Sequence, residues 1–196
     1  RPSSTPSSSS PTLSPTARPP KSITLEATGD ATIKESVPNA NLGSSSYLKI
    51  DTAPLALPQD SPGSNLNGGA FHAMLRFDLS KHDSIRPVAS ASLRLKSVNS
   101  CTSGGYLQKT DSPHWNENSI TWSTAPNGDG TELGRLGKIQ SGYWYSVDIT
   151  EVLALYPGHK TLSMRWYPVS SDECLFVSKD NASGGGPELH IVYDDV

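Results

Sequence analysis

From Ile23 onward, apolar and polar residues alternate with a period of two. Between Phe71 and Leu79 one phase holds Phe71, Ala73, Leu75, Phe77 and Leu79, and the other holds His72, Met74, Arg76 and Asp78. Ala91, Leu93 and Leu95 repeat the pattern against Ser92, Arg94 and Lys96. Such alternation gives a strand one buried and one exposed face, as in antiparallel sheets. Comparable segments occur at 23–27, 31–35, 47–51, 119–122, 144–149, 162–168, 175–179 and 189–193. The pattern predicts about ten short strands separated by Gly, Pro, Asn and Ser clusters, an all-β antiparallel β-sandwich of jelly-roll type. One stretch departs from it. Thr150 is placed to cap a helical turn or two through Glu151 to Tyr156, stopped by Pro157-Gly158. Long loops are expected at 52–69 and 123–137.

Composition divides the chain. Residues 1–22 contain eight Ser, six Pro and three Thr, one large aliphatic residue (Leu13) and no acidic residue. Such a segment has too little apolar surface to offset the entropy of ordering, and reads as a disordered linker with O-glycosylation sites. Residues 23–196 are long enough for a single domain with a core. Linkers of this kind tether modules outside the cell. A secreted, monomeric module joined to a catalytic or structural domain on its N-terminal side is therefore expected. The chain starts without Met and without an apolar run after Arg1, as a fragment of a longer protein would. No apolar run approaches the ~18–20 residues of a membrane helix, so membrane insertion is not expected. The first 22 residues carry +3 of an overall charge of −3, leaving −6 on the domain. That balance argues against nucleic acid as a partner.

Enzyme signatures are missing. There is no Gly-x-Ser-x-Gly, no His-Glu-x-x-His and no phosphate-binding loop, and the five histidines lack metal-ligand spacing. The basic residues are more informative. Lys34, Lys49, Arg76, Arg94, Lys96, Arg165 and Lys179 all alternate with apolar residues. If most of them share one sheet, they form a cationic surface suited to an anionic partner that carries repeated carboxylates. Arg binds a carboxylate bidentately and Lys acts as a point charge. Charges at outward strand positions also serve solubility alone. Among aromatics, Trp122 and Trp166 fall in the apolar phase and Trp115 reads as a packing anchor, whereas Tyr143, Tyr145 and Tyr167 are placed to meet a sugar. No cofactor is expected beyond a possible structural Ca²⁺, for which Glu26, Asp30, Asp51 and Asp148 are candidates. Cys101 and Cys174, the only two cysteines, are read as a disulfide in an exported chain. Asn181-Ala182-Ser183 matches the N-glycosylation rule.

Several landmarks occur in a familiar order. They include Asp30-Ala31-Thr32, Asn41, Leu75-Arg76-Phe77-Asp78-Leu79, Leu93-Arg94-Leu95, Trp115-Asn116-Glu117-Asn118-Ser119-Ile120-Thr121-Trp122 and Ser178-Lys179-Asp180. Together they resemble the DNRLRE domain family, with Asp30, Asn41, Arg76, Arg94 and Glu117 standing at the name-giving positions. The usual Ser-Arg-Glu element is Ser178-Lys179-Asp180 here, and residues 52–69 look like an insertion. The resemblance implies a jelly-roll module of a secreted protein, non-catalytic and binding an acidic polysaccharide such as alginate. Lys34, Lys49, Arg76, Arg94, Arg165, Tyr167 and Lys179 are the expected ligand contacts, on one sheet. Two other readings stand beside it: an adhesive or structural extracellular domain, and a polysaccharide lyase.

Overall fold

The computed structural model describes residues 21–52, 68–155 and 158–194. Nearly all of the expected linker, and most of the expected loop at 52–69, lie outside the described residues. The strands are β1 (Ser22–Lys34), β2 (Tyr47–Ile50), β3 (Phe71–Asp78), β4 (Val88–Lys96), β5 (Tyr106–Thr110), β6 (Gly128–Arg135), β7 (Trp144–Asp148), β8 (Thr161–Tyr167), β9 (Cys174–Val177) and β10 (Glu188–Tyr193). One short helix, α1 (Thr150–Leu155), lies between β7 and β8.

The strand pairs are antiparallel, and two four-stranded orders emerge: β1-β10-β4-β7 and β3-β8-β5-β6. That is the interleaved strand order of a jelly roll. β1 joins the two halves, because Ser22–Glu26 pairs with β10 while Ala27–Lys34 pairs with β3. Between the inner faces lie Leu93, Leu95, Leu189 and Ile191 from one half and Leu75, Phe77, Met164 and Trp166 from the other, all fully buried. Burying a large apolar side chain is worth about 1.5–3 kcal/mol, so this layer holds the sandwich together. β2 and β9 pair separately and send Leu48, Ile50 and Phe176 into the same core. Cys101, just after β4, is bonded to Cys174 at the start of β9, with Cα atoms 5.5 Å apart.

A second, smaller core forms on the outside of the β3-β8 half. The long β5–β6 connection, 111–127, folds back over that face. Trp115 and Ile120 pack on Ala31, Ile33 and Met74, and Trp115 Nε1 donates to Ser163 Oγ at 2.8 Å. Trp115 is the packing anchor that its sequence context suggests.

Some expectations change. Residues 23–27 and 31–35 are one strand with a bulge between Ala27 and Gly29. Residues 119–122 form no strand, since Ile120 is buried by packing on Ala31, Ile33 and Met74 and not by a ladder. The expected loop at 123–137 contains β6, whose three glycines hide it. The helix forms where expected, but the Thr150 hydroxyl donates to Asp148 and meets the β4 backbone at Ala91; it does not cap the first turn.

Candidate functional site

The six basic residues chosen from sequence do not share one face. Arg94 lies on the outside of the β1-β10-β4-β7 half, paired with Glu188 at 3.0 Å and over the Trp144 ring. Arg76 and Arg165 lie on the outside of the β3-β8 half. Lys34 and Lys49 both point at the Phe71 ring, with ammonium groups 5.0 and 4.0 Å from its centroid, and Lys49 also pairs with Glu173. The β1 bulge explains Lys34. It flips the strand phase, so that Lys34 pairs with Phe71 on the same side as core residue Ala73. Lys179 sits apart, with Nζ 2.8 Å from Glu117 and 2.7 Å from Asp180. The expectation of a single basic sheet is therefore corrected: the structure brings Arg165 and Tyr167 together, with Arg76 farther along the same face, and gathers Lys34 and Lys49 separately about Phe71.

Several of the landmark residues hold the 111–127 loop in place. The buried Asp30 carboxylate accepts from Ser178 Oγ and Lys179 N, both at 2.8 Å, while its own amide donates to Glu117 Oε1 at 3.0 Å. Asn41 Nδ2 donates to the carbonyls of Glu117 and Ile120, both at 2.7 Å. Arg76 donates to the Trp115 carbonyl and lies over the Trp115 ring. Burial raises the Asp30 pKa to about 6 against the opposing hydrogen bonds. Asp30, Glu117 and Asp180 converge closely enough to hold a cation, but the Lys179 ammonium already bonds two of them. The other Ca²⁺ candidates, Glu26, Asp51 and Asp148, join no such group among the described residues.

Beyond the far edge of that loop, aromatic and polar groups surround Arg165. Its Nε donates to His72 Nδ1 at 2.9 Å and its Nη1 to Asn127 Oδ1 at 3.1 Å. The guanidinium carbon lies 4.9 Å from the Trp122 ring and 5.3 Å from the Tyr167 ring. His72 touches both rings, each centroid 4.7 Å from its own. Tyr106 stacks on Tyr167 at 5.1 Å and 11°, and Arg135 lies over Tyr106. The strands dictate this grouping. His72, Arg165, Tyr167, Tyr106 and Gln108 are the outward phase of β3, β8 and β5 in register. Gly128 N, at the start of β6, donates to Tyr167 Oη at 2.9 Å and fixes the phenol.

The electrostatics are unusual. Arg165 is only 5% exposed. Buried charges are ordinarily paired with an opposite charge, yet among the described residues every group bonded to this guanidinium is neutral. Lys49, Arg94, Lys109, Arg135 and Lys179 each have a carboxylate partner. Burial lowers the Arg165 pKa. His72 is pushed to about 3, by burial first and then by the adjacent positive charge. It is therefore neutral, and with Nδ1 accepting from Arg165 its proton is on Nε2. Sequence reasoning selected Arg165 and Tyr167 but passed over His72, Trp122, Tyr106 and Asn127. His72 and Tyr106 stand in the outward phases of their strands, which is the only local signal they give.

An array of rings around an unmatched positive charge suits an anionic sugar, and comparison with known families agrees on the sugar. The model of carbohydrate-binding module family 96 matches residues 21–193. The chain belongs to this family. Its residues 21–193 thus form a carbohydrate-binding module whose partner is a polysaccharide. No curated protein matches the chain. With its disulfide, the family 96 module has the character of an extracellular domain.

Proposed function

We propose that the module binds an acidic polysaccharide, alginate or another uronic-acid polymer, without turning it over. The Arg165 platform of the β3-β8-β5 face is its binding surface. The supporting observation is the buried guanidinium whose bonded partners among the described residues are all neutral. A sugar carboxylate would supply the missing counter-charge to Nη2, which makes no hydrogen bond to the described residues. Tyr167, Tyr106 and Trp122 offer apolar surface to pyranose rings, and neutral His72 and Asn127 hold the guanidinium in orientation. The resemblance to DNRLRE domains supports the same ligand class. On this reading residues 1–22 tether a secreted module to an N-terminal domain.

Arg165→Met tests the assignment, because Met replaces the stem and deletes the charge. An unmatched buried charge costs stability, and apolar replacement of buried charges is often neutral or stabilising. Affinity electrophoresis through alginate-containing gel is expected to show lost retardation with an unchanged or raised Tm. Unchanged retardation with a lowered Tm would make Arg165 structural and refute the platform.

A further inference from the structure

The same outer face carries a second opening, on the other side of the 111–127 loop. It is a broad cleft of about 640 Å³, lined by Thr28, Arg76, Asp78, His114, Trp115 and Thr161 among others. That volume lies within the range of small-ligand sites, roughly 300–1,000 Å³. Arg76 lines it. Its Nη1 donates to the Trp115 carbonyl, while Nε and Nη2 make no hydrogen bond to the described residues, and no carboxylate among them pairs with it. The remaining lining suits a sugar's hydroxyl groups. Asp78 is an exposed acceptor, held ionised by the Ser80 amide and hydroxyl. Thr161 faces it across the β3-β8 pair, and the His114 imidazole has no partner among the described residues.

The geometry points to this cleft as a second subsite for one acidic pyranose unit. Arg76 meets its carboxylate, and Asp78, His114 and Thr161 meet its hydroxyls. The register links it to the first site. Arg165 is opposite Met74, and Arg76 is two residues farther along β3. Diagonal neighbours of that kind have Cα atoms about 7–8 Å apart. The two guanidinium groups therefore stand on either side of the loop, within reach of charges on one polymer chain. This inference rests on the reading of the module as an acidic-glycan binder, and adds that a chain is read at two points.

The test is a ¹⁵N NMR titration of the full chain with an alginate hexasaccharide. Two sets of amides are followed: Gln108, Asn127 and Tyr167 for the first site, and Thr28, Asp78, His114 and Thr161 for the cleft. Both sets are expected to shift. Thr28→Trp fills the cleft mouth from an exposed position; it gives up the Thr28 hydroxyl's bond to the Arg76 carbonyl, while the Arg76 side chain's contacts with Trp115 do not involve Thr28. It should weaken binding about tenfold, while the first set still shifts. His114→Ala, which removes no side-chain hydrogen bond or ion pair to the described residues, should weaken binding in the same direction. Shifts confined to the first set, with Thr28→Trp binding as tightly as the parent, would overturn the second subsite and leave the proposed function standing. Shifts in neither set would overturn both.

Discussion

Lowering the pH from 7 to 4 titrates two buried groups that act on stability in opposite directions. His72 has a folded pKa of about 3, against an unfolded value near 6.5. Between those values the unfolded chain binds a proton that the folded chain refuses, so stability falls as pH falls through 6.5. By pH 4 the loss runs over about 2.5 pH units at about 1.4 kcal/mol each, roughly 3 kcal/mol. Asp30 has a folded pKa of about 6, against about 3.9 unfolded. There the folded chain binds the proton first, so stability rises as pH falls through 6, by roughly 2 kcal/mol at pH 4. The two effects largely offset each other in the parent, and single variants expose them. In His72→Asn, the amide oxygen can still accept from Arg165 but cannot titrate. Urea unfolding at pH 7 and pH 4 should show this variant losing roughly 3 kcal/mol less on acidification than the parent. Asp30→Asn should lose roughly 2 kcal/mol more. Carboxylates held low by local hydrogen bonds, such as Asp78 and Asp148, contribute equally to all three proteins and cancel in the comparison. Equal pH dependence in all three would refute the assignment of both groups.

Other consequences are simpler. A thiol assay on unfolded, unreduced protein should find no reactive thiol, and reduction should cost about 2–4 kcal/mol, because the bridge closes a long loop; two free thiols would refute the pairing. Gly43→Ala would place a methyl group against the Glu117 backbone carbonyl. It should destabilise by about 1–3 kcal/mol and raise hydrogen exchange across 113–125. A double-mutant cycle on Arg94 and Glu188, a half-exposed pair, should give a coupling of at most about 1 kcal/mol. A much larger value would make Arg94 a structural anchor.

The fold was legible wherever alternation ran unbroken, as in β3, β4 and β10, and where turn residues marked the ends. It was less legible where three-dimensional context replaced the ladder. A single bulge residue in β1 reverses which side Lys34 faces, and nothing in Ala27-Thr28-Gly29 announces it beyond the glycine. β5 and β6 are edge-side strands with few apolar residues, and Gly128, Gly130 and Gly134 make β6 look like a loop. Ile120 and Trp122 have the alternation of a strand because they cover another element's face. The site was legible in part. Arg165 and Tyr167 stand two apart on β8, and period two puts them on one face. The burial of Arg165 was not legible, because it depends on a 17-residue connection folding back from β5. His72 and Tyr106 join the site through strand pairing, which sequence spacing does not specify.

On the proposed reading, sugar carboxylates meet the Arg165 charge, with which no carboxylate among the described residues pairs. Isothermal titration with native alginate and with the same polymer after reduction of its carboxyl groups isolates that charge, because the backbone and hydroxyl groups are otherwise shared. On this reading the native polymer binds with an affinity that falls as salt rises, since screening acts within about 8–10 Å at physiological ionic strength, and the reduced polymer binds little. Equal, salt-insensitive binding of both polymers would contradict it.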